Sequence, residues 1–245
     1  MDLPKFISFH LGSSYFYPIV AEIENEIVGF GNGILNGKTG WIGNIIVLPE
    51  YRGQGIGHLL TTHLVEYFTS KGCTSQLLIA SEMGKNIYSR IGFRTVSTYE
   101  VYQKNEELFE LKQSTAIRPI KQKDIPAVKK LDLRATAEKR SRFIERFFKT
   151  AYVYESEEEI SGFYLPDLGG GFIAAENPEA GLELIKFRLR KTPTNAVVPS
   201  ENEIAINFLE KEGFQKIRNM PKMVLGKNLP WNPELIYNRG AGYCG

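Results

Sequence analysis

Apolar positions along this chain change period several times, and each change marks an element. Ile19 to Ile23 and Ile27 to Leu35 alternate or run apolar on either side of a polar "EN", predicting two strands joined by a tight turn. After the turn "NGKTG", the segment "KTGWIGNIIVL" reads as a third strand, and its unbroken run from Ile45 to Leu48 predicts burial on both faces. From Ile56 the apolar residues fall at Leu59, Leu60, Leu64, Tyr67 and Phe68, the spacing of an amphipathic helix that stops at Gly72. A short strand "SQLLIAS", a helix "EMGKNIYSRIGF" closed by Gly92 and an alternating strand "RTVSTYEVYQK" complete the unit. The predicted order is β-β-β-α-β-α-β.

The second half repeats this plan. "VYESEEEISGFYL" answers "VAEIENEIVGFGN", and "AVVPSENEIAINFLEKEGFQKI" answers "LLIASEMGKNIYSRIGFRTV", so that Gly92-Phe93 and Gly213-Phe214 close equivalent helices. A charged stretch, "KNEELFELKQS", separates the halves, and a strand, the cap candidate Asp124 and a new helix follow it. The boundary is placed near Ser114, dividing the chain into residues 1–113, 114–228 and a tail, 229–245. The fold class expected is α/β with a mixed sheet, in two tandem copies.

Between the third strand and its helix stands "VLPEYRGQGIGHLL". Glycines at alternate positions let a backbone turn its N–H groups to one side, and a helix starting there adds unpaired amides and the positive end of its dipole. Such a site suits phosphate, with Arg52 as a further cationic donor. Charge-assisted hydrogen bonds are worth roughly 1.5–3 kcal/mol each, so a few amides on a pyrophosphate supply several kcal/mol. The common nucleotide fingerprints do not fit: G-x-G-x-x-G begun at Gly53 requires glycine where the chain has His58, and no G-K-[ST] follows.

The pattern R-x-x-G-x-G over Arg52, Gly55 and Gly57, with the later Tyr88, Gly92 and Phe93 of "IYSRIGF", resembles the GCN5-related N-acetyltransferases (GNAT). The resemblance implies a GNAT fold whose loop, Arg52, Gly53, Gln54, Gly55, Ile56 and Gly57, wraps the pyrophosphate of acetyl-CoA. It implies that a backbone amide within Ile45, Ile46 and Val47 faces the thioester carbonyl where two strands splay, and that Tyr88 protonates the departing sulfur. A phenol, protonated at neutral pH, suits that role. The family also opens with a strand and helices for which only "MDLPKFISFHLGSSYF" is available, so the first strand is missing or truncated, and either an upstream start or a covering segment is expected at the sheet edge.

The second half keeps Pro178 and Glu179 where the first has Pro49 and Glu50, but lacks the arginine and glycine spacing and puts Leu209 in place of Tyr88. It reads as a degenerate copy without the cofactor, as in bacterial two-domain GNAT proteins. The base that deprotonates the amine is not fixed by the sequence: Glu82 is one candidate and a water chain to bulk another, while Glu22, Glu24, Glu26, His58 and His63 read as solvated. Trp41, Trp231 and Tyr237 are candidates for an acceptor wall or for packing, and Gly169 to Gly171 for a turn or an acceptor-facing loop.

Composition narrows this little. The 245 residues are 42% hydrophobic and 24% charged, with 30 basic against 28 acidic side chains, too even a balance to imply nucleic acid or a membrane surface as partner. The acceptor expected is a small amine or a protein amino group. Two cysteines far apart argue against disulfides or zinc, no metal is called for, and no stretch of about 18 apolar residues exists to cross a membrane. A cytoplasmic N-acetyltransferase is the expectation, with a non-catalytic acyl-CoA-binding regulator as the alternative; oligomeric state is not legible.

Overall fold

The computed structural model describes residues 3–104, 114–190 and 195–244, so most of the charged stretch read as the boundary lies outside the described residues. The chain forms two compact units: Met1–Val96 with Pro221–Asn228 and Gly242–Gly245, and Ser97–Met220 with Leu229–Ala241. The two units exchange strand segments across the boundary read near Ser114.

In the first unit, helix α1 (Leu3–His10) precedes strands β1 (Phe16–Ile23), β2 (Glu26–Asn36) and β3 (Thr39–Val47). Helix α2 (Ile56–Ser70), strand β4 (Ser75–Ile79), helix α3 (Glu82–Ile91) and strand β5 (Arg94–Gln103) follow, the last leaving this unit at Val96. β1, β2 and β3 pair antiparallel, β3 runs parallel to β4, and β4 pairs antiparallel with Lys222–Gly226 of the late strand β11 (Gln215–Gly226). α2 lies close on the sheet because β2 and β3 present glycines beneath it. A Cβ on Gly33 or Gly40 would stand 2.6 or 2.4 Å from the ring of Phe68, which is fully buried between them. Burying that ring contributes roughly 1.5–3 kcal/mol and fixes how α2 sits on β3.

β1 is the edge strand, and no described segment pairs with its outer side. The Leu35 N–H donates to Tyr15 O, so the even positions of β1 aim their backbone N–H outward, and one of these is Pro18, which has none. A proline on an open edge blunts pairing with other chains.

The second unit contains β6 (Ile117–Pro119), α4 (Ile125–Thr136), α5 (Ser141–Ile144), β7 (Tyr152–Ser156), β8 (Glu159–Leu165) and β9 (Phe172–Ala175). α6 (Pro178–Leu189), β10 (Asn195–Pro199), α7 (Glu203–Lys211) and β12 (Ile236–Asn238) follow. The sheet runs β12-β9-β8-β7-β6, and β10 pairs with β5. The repeat read from sequence reappears in the backbone. The hairpin turns Glu24-Asn25 (φ 50 and 66) and Glu157-Glu158 (φ 51 and 64) both place two residues in the left-handed region, and each hairpin shifts register at the same place, Ala21/Glu22 and Tyr154/Glu155. Gly92 (φ 109) and Gly213 (φ 84) end equivalent helices in left-handed conformation. Asp124 does not cap α4 through its side chain: its carboxylate accepts from the Lys121 N–H and pairs with Arg118, which holds it below the usual carboxylate range.

Candidate active site

The β3–β4 ladder is short. It ends at Trp41↔Leu77, and the rest of β3 pairs only with β2. Between Phe30 and Asn32 the β2–β3 register shifts, and Asn44 takes φ +53, the extra residue of a bulge. Beyond it, the Ile45 to Val47 backbone has no β4 partner on its other side. This opening explains a departure from the sequence expectation. Ile46 is 44% exposed and Ile45, Val47 and Leu48 are half-buried, because a strand that parts from its neighbour loses cover on that side. Leu59 is likewise exposed, and α2 buries Ile56, Leu60, Thr61, Leu64 and Phe68 instead.

The chain leaves β3 through a single 3₁₀ turn, Pro49–Tyr51, into Arg52–Gly55. Gly53 and Gly55 have φ of +79 and +85, and Gly55 is the N-cap of α2. The Arg52 N–H bonds back to Pro49 O and the Leu59 N–H to Gly55 O; between them, the N–H groups of Gly53 through His58 donate to no acceptor among the described residues. Six consecutive amides are therefore free at a helix N-terminus that carries no acidic residue in its first turn. Arg52 donates through Nε to Val47 O at 3.0 Å, which ties its exposed guanidinium beside the loop, and Gln54 turns back to Glu50 O at 3.4 Å. Gly57 differs from the other two: it lies inside the helix, and a Cβ there would meet Ile45, Ile87 and Val47 at 3.8–3.9 Å, ordinary contact. Those contacts put α3 beside the start of α2 and the open part of β3.

Tyr88 lies on α3 with its ring over Gly84, where a Cβ would approach it to 2.7 Å, and 6.2 Å from the ring of Phe93. It packs against the cluster containing Leu78 and Ala80, past the end of the β3–β4 ladder. Its hydroxyl bonds to none of the described residues, and burial raises its pKa above the ordinary phenol value. Glu82, the first residue of α3 after the Ser81 cap, is exposed. His58 and His63 are exposed on α2, His63 Nε2 lying 3.3 Å from the Tyr17 hydroxyl. Glu22, Glu24 and Glu26 are exposed, and Glu26 accepts from the Tyr51 hydroxyl. A hollow of about 320 Å³ beside Ile19, Ala21, Leu60 and His63 lies on the β1 side of α2 and includes none of the loop amides. Among the described residues no cluster of His, Cys, Asp or Glu could hold a metal, and no helix is long and apolar enough to cross a membrane.

The equivalent place in the second unit is closed. Asn177 caps α6, its side chain accepting from the Ala180 N–H at 2.9 Å. Strand β12 pairs with β9, the Arg239 N–H donates to Val197 O of β10, and the Asn238 carboxamide accepts from the Val197 N–H. β12 thus fills the gap that stays open beside β3. Tyr237 packs on Gly181, where a Cβ would come within 2.3 Å of its ring, and Leu209 is a fully buried core residue. The packing alternative therefore accounts for Tyr237. It also accounts for Trp41, which is fully buried with Lys222 over its ring, and for Trp231, whose ring lies 6.1 Å from that of Tyr99. Gly169–Gly171 form a turn tied down by the tail: Gly170 donates to Gly240 O, and Gly171 O accepts from Asn238. The sequence missed β12, because a three-residue strand has too few positions to show a period.

Residues 2–93 match the profile of the acetyltransferase (GNAT) family, and residues 128–238 that of an acetyltransferase (GNAT) domain. A Pyrococcus horikoshii protein assigned to the acetyltransferases superposes with TM-score 0.84 at 21% identity, over 99% of this chain and 84% of that one. A tandem GNAT protein from the clavulanic acid biosynthesis pathway superposes with TM-score 0.59 at 12% identity, over 90% and 86% of the two chains. At such identities the likeness is one of fold. In sequence, the chain is 42% identical over 56 residues to the glucosamine 6-phosphate N-acetyltransferase of Trypanosoma brucei brucei, 23% of this chain and 38% of that protein. It is 29% identical over 102 residues to the thialysine N-epsilon-acetyltransferase of Mus musculus, 35% of this chain and 60% of that one. The matched segments thus span less than two thirds of either relative. The chain belongs to the GCN5-related N-acetyltransferase superfamily, as a member with two GNAT domains in tandem.

Proposed function

We propose that this chain is an N-acetyltransferase that moves the acetyl group of acetyl-CoA to a primary amine, with the chemistry confined to its first GNAT domain. The observation that carries the reading is the run of free amides from Gly53 to His58, presented by two left-handed glycines at the mouth of the opening beside β3. Donors so arranged fit a diphosphate, and Arg52 adds charge at the same place. From there a pantetheine arm leads past Gly57 into the gap between β3 and β4, where the Ile45 to Val47 amides lie toward a thioester carbonyl. The filled gap and capped helix of the second unit support a single cofactor site.

The amine must arrive neutral. Its lone pair attacks the carbonyl carbon, the oxyanion is held by the strand amide, and the tetrahedral adduct collapses with cleavage of the C–S bond. The sulfur takes the Tyr88 proton, and the amine nitrogen loses its extra proton to water or to Glu82. Burial keeps Tyr88 protonated well into the alkaline range, which favours it as the acid. Cys73 and Cys244 are thiols rather than a disulfide, which fits a reducing, cytoplasmic setting.

The test is calorimetric titration with coenzyme A, paired with thiol release from acetyl-CoA over a panel of primary amines. Tyr88→Phe is expected to lower kcat by about 10²–10⁴, the usual range for a positioned acid, with coenzyme A affinity unchanged. Failure to bind coenzyme A overturns the reading. Binding without transfer to any amine replaces it with the regulatory alternative.

A further inference from the structure

The β1–β3 sheet has two faces, and only one of them is packed along its whole length. Ile19, Ala21, Ile45 and Val47 pack with Ile56 and Leu60 of α2, and Gly29, Gly31 and Gly33 lie beneath that helix. Strand side chains alternate, so Val20 of β1, Phe30 of β2 and Ile46 of β3 point to the other face, and the register sets them side by side. At one end, α1 and the tail cover this face: the ring of Phe6 lies 5.6 Å from that of Phe16, and a Cβ on Gly43 would meet Tyr243 Cβ at 2.3 Å. The cover stops there. One row nearer the loop, Phe30 is a buried floor between Val20, 51% exposed, and the exposed Ile46. Beyond the bulge Ile27, 58% exposed, pairs with Glu22.

Ile46 belongs to the part of β3 that has lost β4 as a neighbour, between the Ile45 and Val47 amides assigned to the thioester carbonyl. The cofactor loop reaches that segment from the α2 side, which leaves the uncovered face as the approach for an attacking amine. Charge beside this face has one sign. Glu22 stands on it, Glu24 lies in the hairpin turn and Glu50 follows β3; all three are exposed, and none forms an ion pair among the described residues. The chain has no lysine or arginine from Phe6 to Gly37, and Arg52 is held at Val47 O beside the loop. Such a field attracts an ammonium group and repels a phosphate. A few partly exposed aliphatic side chains cover far less than the roughly 800 Å² that each partner of a stable dimer buries, so the occupant that fits is a short segment that comes and goes.

Resting on the acetyltransferase reading above, we propose that the acceptor is an amino group carried on a basic polypeptide, and that Val20, Ile27 and Ile46 dock an apolar residue beside it. Glu22 and Glu24 steer the cationic segment to the face, and the amine loses its proton before it attacks. Val20, Ile27, Glu22 and Glu24 select the acceptor and take no part in the transfer itself.

The test measures thiol release from acetyl-CoA with a blocked peptide carrying one lysine among leucines and arginines, with the same peptide bearing glutamates for arginines, and with glucosamine 6-phosphate. The full-length wild type is expected to show kcat/KM at least tenfold higher for the basic peptide than for the other two. Combining Glu22→Lys with Glu24→Lys should raise the KM for that peptide at least tenfold, with kcat and coenzyme A affinity unchanged. Raising ionic strength from about 0.01 to about 0.15 M shortens the screening range from roughly 30 to 8 Å, and should raise the wild-type KM several-fold but that of the double variant far less. Ile27→Ser should raise KM for the leucine peptide and not for one with alanines in place of leucines. A merely structural role for these exposed residues predicts no such dependence on the peptide. Preference for the acidic peptide or glucosamine 6-phosphate, or an unchanged KM in both variants, overturns this inference while leaving acetyl transfer intact. A wild-type dimer that Ile27→Ser dissociates likewise overturns it, assigning the face to a second copy of the chain. Absence of transfer to every amine overturns both readings.

Discussion

Gly55→Ala and Gly57→Ala add the same methyl group two residues apart, and the structure assigns them opposite signs. At Gly55 the added Cβ meets nothing within 4 Å, so no clash arises, but φ is +85. An L-residue held there costs about 1–2 kcal/mol, which for a chain of this size lowers the unfolding midpoint by roughly 2–8 °C. The loop can relieve that strain only by rotating peptides, which turns free N–H groups away from the position they now share. Each charge-assisted bond lost at roughly 1.5–3 kcal/mol costs about tenfold or more in coenzyme A affinity. At Gly57 the backbone is helical and the new methyl makes ordinary contact with Ile45, Ile87 and Val47, so alanine gains about 0.5–1 kcal/mol of helix stability. Scanning calorimetry on both variants and titration of Gly55→Ala with coenzyme A measure these effects. Shifts of the same sign in the two variants, or wild-type affinity in Gly55→Ala, would refute the assignment of the loop geometry to the left-handed glycines.

Other outcomes follow from packing and titration. Gly43→Ala forces a Cβ against Tyr243 backbone and so displaces the tail; Cys244, fully buried beside it, should then react with a thiol reagent under native conditions, and continued protection would show the tail is not seated there. Burial pushes the Cys73 thiol up from 9.0 to about 11, so its native alkylation at pH 8 should run roughly a hundredfold slower than an ordinary thiol and climb until about pH 11; a plateau near pH 9 would contradict this. The same shift makes its protonated form a source of stability below pH 9 that is lost as pH rises toward 11. Asn177→Ala leaves the α6 N-terminus without its side-chain cap and should cost about 1 kcal/mol in denaturant unfolding, with no effect on coenzyme A binding.

Much of this protein was legible along the chain. The two hairpins, the α2 helix and the paired Gly-Phe endings are local: two-residue turns, a 3.6 period and a glycine stop each depend on neighbours in sequence, so residues alone specify them. The loop from Arg52 to Gly57 was legible for the same reason, since left-handed positions next to a helix start demand glycine. Tertiary structure decided what depends on distant partners. That β3 parts from β4 after Trp41 is a matter of pairing, and it left Ile46 exposed where its apolar neighbours suggested burial. That a few tail residues form β12, close the second unit's gap and carry Tyr243 back onto Gly43 follows from contacts separated by up to 200 residues, and no periodicity within the tail records where it returns. The exchange of β5 and β11 segments between the units has the same cause, because a strand's pattern shows that it is half-buried but not which neighbour it pairs with.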